Sequence, residues 1–218
     1  MESHPLKFIS NPILLNLALL TTSALSCGKS SSVPLNENQQ LTEQTSTLLG
    51  REEKDRYFRS DASPLDVSER NGFPGLHYFS YDFDYVAKTA LNRLANPESI
   101  QVPTSTGSMR SYFRVGYFEF QVAGNSGRLW AYQTEKDANR VFIPFADKTT
   151  GESTYGGGRY LDLVLDASDS LVLNFNRAYN PWCAYSDKYS CPVPPLENHL
   201  SFPIHAGEQL PPRPSSSQ

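Results

Sequence analysis

Apolar residues change their period twice along the chain. Residues 12–20 form one short apolar run, Pro12-Ile13-Leu14-Leu15-Asn16-Leu17-Ala18-Leu19-Leu20. That run is too short to cross a membrane and has the length of a signal-peptide core. Residues 42–59 place Leu48, Leu49, Tyr57 and Phe58 on a charged background. This pattern predicts a helix with a thin apolar seam, closed by Ser63-Pro64-Leu65. After residue 76 the period becomes two. Strands are expected at 76–79, 85–91, 100–102, 110–116, 117–122, 128–133, 141–145, 160–165 and 171–176. In 117–122, Phe118, Phe120 and Val122 share one face while Glu119 and Gln121 share the other. Turns are expected at 104–108 and at Asn125-Ser126-Gly127. A hairpin is expected to join 160–165 to 171–176 across 166–170. Pro144 belongs at an edge or a bulge, because it has no N–H for a ladder. The chain therefore reads as mainly β, an antiparallel barrel or sandwich with one N-terminal helix and a long Pro-rich C-terminal loop.

Composition narrows this picture. Only 39% of the 218 residues are hydrophobic, enough for one core diluted by polar tails. The formal net charge of -4 argues against a nucleic-acid partner, which needs a basic face. The apolar run ends at Ala24-Leu25-Ser26-Cys27, followed by Gly28-Lys29-Ser30-Ser31-Ser32. A small residue before Cys at this place resembles the lipobox of bacterial lipoproteins, although Ala24 stands where Leu is usual. The resemblance implies lipidation of Cys27, which becomes the first mature residue and anchors the chain to a membrane of the cell envelope. The expected organisation is a signal peptide at 1–26, a flexible tether at 27–40, a β-rich domain at 41–209 and a disordered Pro/Ser tail at 210–218.

Candidate chemistry gathers in residues 144–208. Cys183 and Cys191 lie eight apart between Pro181 and Pro192, and in an exported protein a disulfide is the first expectation. Two reduced thiols, or metal or redox chemistry, are the other readings. A metal would need two further ligands, and His199 and His205 lack zinc-like spacing. Asp147, Thr149 and Thr150 read as an Asx turn or as a polar cluster at a pocket mouth. Arg159, beside Gly156-Gly157-Gly158, has a planar fork suited to a carboxylate or phosphate. It is equally suited to a buried pair with Glu197 or Asp162. Asn176, Asn180 and Asn198 satisfy loop backbone or bind a polar ligand. Tyr155, Tyr179, Trp182 and Tyr185 form either a stacking platform or a cover over the core. Glu197 and Glu208 are the paired-carboxylate candidates, provided they converge. The glycine run is not a nucleotide fingerprint, and no nucleophile elbow is present. Neither a cofactor nor a metal is expected.

Several motifs agree in order with one family. They are Thr154-Tyr155-Gly156-Gly157-Gly158-Arg159-Tyr160-Leu161, Asn174-Phe175-Asn176-Arg177-Ala178-Tyr179-Asn180-Pro181, Cys183-Ala184-Tyr185, Cys191-Pro192, Glu197-Asn198 and Ala206-Gly207-Glu208. With Phe73-Pro74-Gly75-Leu76-His77 upstream, residues 50–208 resemble the domain-of-unknown-function family 1684. Asn174 and His199 depart from its pattern. The resemblance implies no activity. Two functions follow from the residues. One is a lipid-anchored module that binds a small ligand, a glycan or a protein, with Asp147, Tyr155, Arg159, Asn176, Asn180 and Glu197 as its site. The other is an enzyme of the hydrolase class, with Asp147, Glu197, Glu208 and Arg159 in one cleft.

Overall fold

The computed structural model describes residues 35–134 and 139–212. The signal peptide, Cys27, most of the tether and residues 213–218 of the tail lie outside the described residues.

Helix α1 spans Glu37–Arg59, starting earlier than the apolar pattern suggests and taking in the last residues assigned to the tether. Its start is set by a capping box: Asn36 accepts from the Gln39 amide, and Gln39 accepts from the Asn36 amide. Only Thr47 and Phe58 are buried along its 23 residues. A short helix, α2, follows at Val67–Arg70.

Six antiparallel strands build the domain: β1 (Val86–Pro103), β2 (Met109–Val122), β3 (Asn125–Gln133), β4 (Arg140–Phe145), β5 (Arg159–Val164) and β6 (Ser170–Asn174). They form one sheet in the order β5-β4-β3-β2-β1-β6, curled into a nearly closed barrel. β1 is a single long strand, although Asn96-Pro97 suggests a break. The ladder to β2 absorbs the Pro as an irregularity between Arg93 and Glu98. The first part of β1 pairs with β6, from Val86 opposite Asn174 to Ala90 opposite Ser170. The expected hairpin between β5 and β6 is therefore absent: both strands form, but β6 turns away to β1. The β2–β3 turn sits at Ala123 and Gly124, both at positive φ, just ahead of the expected Asn125-Ser126-Gly127. Residues 76–79 form no strand. They make only an isolated bridge, Tyr78 to Glu208.

Between β5 and β6 the barrel is closed by the chain leaving β6. Tyr179 exchanges backbone hydrogen bonds with Tyr160 of β5, at 2.9 and 3.0 Å. Alternation holds within the strands, so Phe118, Phe120 and Val122 face the core with Leu129, Ile143, Leu161 and Leu173. Ile204 and Ala206 of the C-terminal segment are also fully buried in that core. The Pro-rich end thus contributes to the core of the barrel.

Pro144 is in an internal strand, which needs explaining. β3 and β4 share a single pair, Tyr132 with Phe142. The Asn198 side chain fills the opened ladder: it accepts from the Trp130 amide (2.7 Å) and donates to the Trp130 (2.9 Å) and Pro144 (2.8 Å) carbonyls. The missing Pro144 N–H falls on this opened side.

Candidate functional site

The buried centre of the polar region is Arg159, the first residue of β5. It has no exposed side-chain surface, and neither does Asp147, its partner at 2.9 Å. One Asp147 oxygen accepts from Arg159. The other accepts from the Thr149 amide (2.8 Å), the Thr149 hydroxyl (2.6 Å) and the Ile204 amide (3.1 Å). The two terminal nitrogens of Arg159 also donate to the carbonyls of Ile204, Ala206 and Glu208, while its Nε has no partner among the described residues. Burial lowers its pKa, and Asp147 opposes that shift. A charge so enclosed ties the C-terminal segment to the β4–β5 hairpin. Glycines permit the enclosure. At Gly158 (φ +80) an added Cβ would lie 2.7 Å from the Phe145 carbonyl oxygen, and at Gly207 (φ +81) 2.6 Å from that of Ala178.

Next to this centre is Glu208, also fully buried. One carboxylate oxygen receives the Lys54 ammonium of α1 at 2.6 Å and the Asn180 amide at 3.0 Å. The other oxygen has no partner among the described residues. Burial raises the Glu208 pKa, and Lys54 holds it back. Asn180 donates from its side chain to the Gln209 carbonyl (2.7 Å) and the Tyr185 hydroxyl (3.2 Å).

A cleft of about 390 Å³ opens between α1 and residues 176–179. Thr47, Gly50, Arg51, Lys54, Arg177 and Tyr179 line it, with Tyr78 at its side. Lys54 Nζ stands 4.9 Å from the Tyr179 ring centre and Arg51 lies 4.4 Å over the Tyr78 ring. Arg177 pairs with Glu43 at 3.0 Å. Arg51 donates to the carbonyls of Phe79 (3.1 Å) and Asn176 (3.0 Å). Asn176 itself clasps the backbone of Asp82 in both directions, at 2.9 and 2.8 Å.

The expected site residues thus divide. Asp147, Arg159, Asn180 and Glu208 form one connected network, and Asn176 lies apart at the cleft, where its carbonyl accepts from Arg51. Tyr155 and Glu197 are elsewhere. Glu197 pairs with Arg114 at 3.3 Å and accepts from Tyr132 at 3.1 Å on the β2–β3 side. Arg159 pairs with neither Glu197 nor Asp162. The latter accepts from Tyr179. Asp147, Glu197 and Glu208 do not share one cleft, and Asp147 has every oxygen engaged.

Cys183 and Cys191 are free thiols, so the disulfide expectation is corrected. The Cys191 sulfur instead accepts from the Cys183 amide at 3.2 Å. Burial pushes the Cys191 thiol up to about 12. Tyr155 points its hydroxyl at the Cys183 carbonyl (3.3 Å), and burial pushes it up to about 12 as well. Among the described residues no group of three or more His, Cys, Asp or Glu side chains converges as metal ligands would.

Arg51 and Lys54 were hidden by their setting, a helix whose charges read as solvated. The signal was their spacing. Thr47, Arg51, Lys54 and Phe58 fall on one helical face, and the two outer members are the buried residues of α1.

The family model described as "Protein of unknown function (DUF1684)" matches residues 71–209. The chain is also similar to an uncharacterized protein of Haloarcula marismortui solved by solution NMR. The two are 38% identical, the match covers 80% of this chain and 97% of that one, and the TM-score is 0.64. No curated protein matches the chain. The family match begins after α1, so it includes only one wall of the cleft.

Proposed function

The chain belongs to the DUF1684 family of proteins of unknown function, and from that premise we propose that it is a lipid-tethered envelope protein that binds a small polar ligand in the cleft between α1 and residues 176–179. The observation that carries the reading is the cleft itself. Its volume is that of a small-molecule site. Its walls combine two aromatic rings with a few charged groups held in place by backbone carbonyls and buried carboxylates. Such walls keep their shape without a ligand, which lowers the cost of binding.

Gly50 offers a clean test. It lines the cleft, and an added Cβ meets nothing within 4 Å. Gly50→Leu should fill the space while improving helix propensity. Ligands found by NMR screening of small polar compounds against the wild type should fail to bind the variant, whose melting temperature should not fall. Ligands that bind both proteins equally would remove the cleft from consideration.

The tether rests on the apolar run at 12–20 and on Ser26-Cys27. Among the described residues no helix is long and apolar enough to cross a membrane. Replacing Cys27 with Ser should move the protein from the membrane pellet to the soluble fraction. Retention in the pellet would remove lipidation from the reading.

A further inference from the structure

We propose that the cleft ligand carries an oxyanion, a carboxylate or a phosphate, and that Arg51 receives it. The inference rests on the cleft-binding reading above and adds the chemical class of the ligand.

The argument begins with the charge balance of the walls. Three cations line the cleft: Arg51, Lys54 and Arg177. Two already have carboxylates. Lys54 meets Glu208 at 2.6 Å, and Arg177 meets Glu43 at 3.0 Å. Arg51 has no carboxylate within salt-bridge distance among the described residues. Its two terminal nitrogens are held by neutral carbonyls, those of Phe79 and Asn176. The cleft therefore holds one positive charge that no acidic side chain neutralises at contact.

Hydrogen bonding points the same way. The Arg51 Nε and the Tyr78 hydroxyl are both buried without a partner among the described residues. The Arg51 guanidinium carbon lies 4.4 Å from the Tyr78 ring centre, so the two side chains are in contact. A buried donor without an acceptor is costly. Burial also draws the Arg51 pKa down, as expected of a cation lacking a close counterion. An oxyanion supplies what is missing, a negative charge and several acceptor lone pairs. Arginine suits it because its fork matches the geometry of both carboxylate and phosphate. The carbonyl clamps fix the side chain in advance, and the aromatic rings of Tyr78 and Tyr179 flank the remainder of the ligand.

The test is a titration of the full chain with three probes, inorganic phosphate, succinate and uncharged glycerol. The readout is the side-chain Nε–Hε resonance of Arg51 by NMR. Saturable movement with phosphate or succinate, and none with glycerol, is expected. The tighter of the two anions identifies the source of the oxyanion. Arg51→Gln should weaken binding by about tenfold or more, the loss of a charge-assisted contact. If Arg51→Gln fails to fold, Arg51→Lys keeps the charge without the fork. It should bind phosphate with a weaker, more salt-sensitive affinity. Gly50→Leu should abolish the effect in either background. Binding of glycerol or another neutral probe that is lost in Gly50→Leu but unchanged in Arg51→Gln overturns the anion proposal and leaves the cleft reading standing. Anion binding that survives Gly50→Leu places the anion outside the cleft and also overturns it. No saturable binding by any small polar compound sinks both readings.

Discussion

Arg159 and Asp147 are each enclosed completely, and neither has water to fall back on. Removing one partner of such a pair leaves the other charged and stranded, at a cost of about 3–5 kcal/mol. Asp147→Asn should therefore show that loss in denaturant unfolding, with a lowered midpoint and an unchanged slope. A loss below about 1 kcal/mol would mean the pair is not closed. Lys54 and Glu208 make a second, pH-dependent case. Burial raises the Glu208 pKa in the fold above its unfolded value. A raised carboxylate contributes stability at low pH and loses it as pH rises through the folded pKa. Lys54 offsets that loss, so Lys54→Met should cost about 3 kcal/mol at neutral pH. The penalty should shrink on acidification, as Glu208 takes up a proton. A pH-independent penalty would contradict this account. The sequence singled out Arg159 but paired it with Glu197 or Asp162. The deciding fact was register: Phe145 lies opposite Arg159 in the β4–β5 ladder, which brings Asp147 within reach just past the strand end.

At the scale of elements, polar clamps replace apolar faces in two places. Helix α1 buries only Thr47 and Phe58, and it is held by Arg51, Lys54 and Asp55, the last accepting from the Leu76 amide at 2.9 Å. Hydrophobic periodicity gave the helix but underestimated its attachment, because charged residues carry it. Asn198 is the second clamp, standing in for a missing stretch of ladder between β3 and β4. Asn198→Ala strands one buried donor and two acceptors and should cost about 2–3 kcal/mol. Hydrogen exchange at the Trp130 amide should accelerate more than at Leu129, its neighbour. Equal protection in the variant would show that water or a strand shift replaces the side chain. Most strands were legible from alternation, as in Phe118, Phe120 and Val122, although the expected strand at 76–79 makes only an isolated bridge. Their partners were not: the short 166–170 link suggests a β5–β6 hairpin, yet β6 completes the barrel against β1 instead.

At the scale of the whole molecule, the antiparallel β class follows from the many short alternating segments. The C-terminal segment does not, because Pro and Gly conceal that Leu200, Ile204 and Ala206 are core. The thiols give a global check on chemical state. Denatured, unreduced protein should take up alkylating reagent at both Cys183 and Cys191. In the folded protein Cys191 should react far more slowly than a free thiol, since the thiolate is the reactive form and its pKa is pushed up to about 12. Fast modification of Cys191 in the native state would contradict its burial.

The tie between Lys54 and Glu208 also sets an order of assembly. These residues are 154 positions apart, and Arg51 and Asn176 are 125 apart. Closing such long loops is entropically slow, and it is rewarded only when the intervening barrel already holds the ends together. During synthesis α1 emerges before the strands, yet its partners Asn176 and Glu208 emerge after them. The barrel is therefore expected to close before the helix docks, so that the cleft appears only as the final step of folding. Stopped-flow refolding should show the Trp130 environment maturing ahead of Trp182, which stacks on Tyr57 of α1. The binding site is thus a late product of the fold, and a chain that has finished its barrel has not yet acquired its cleft.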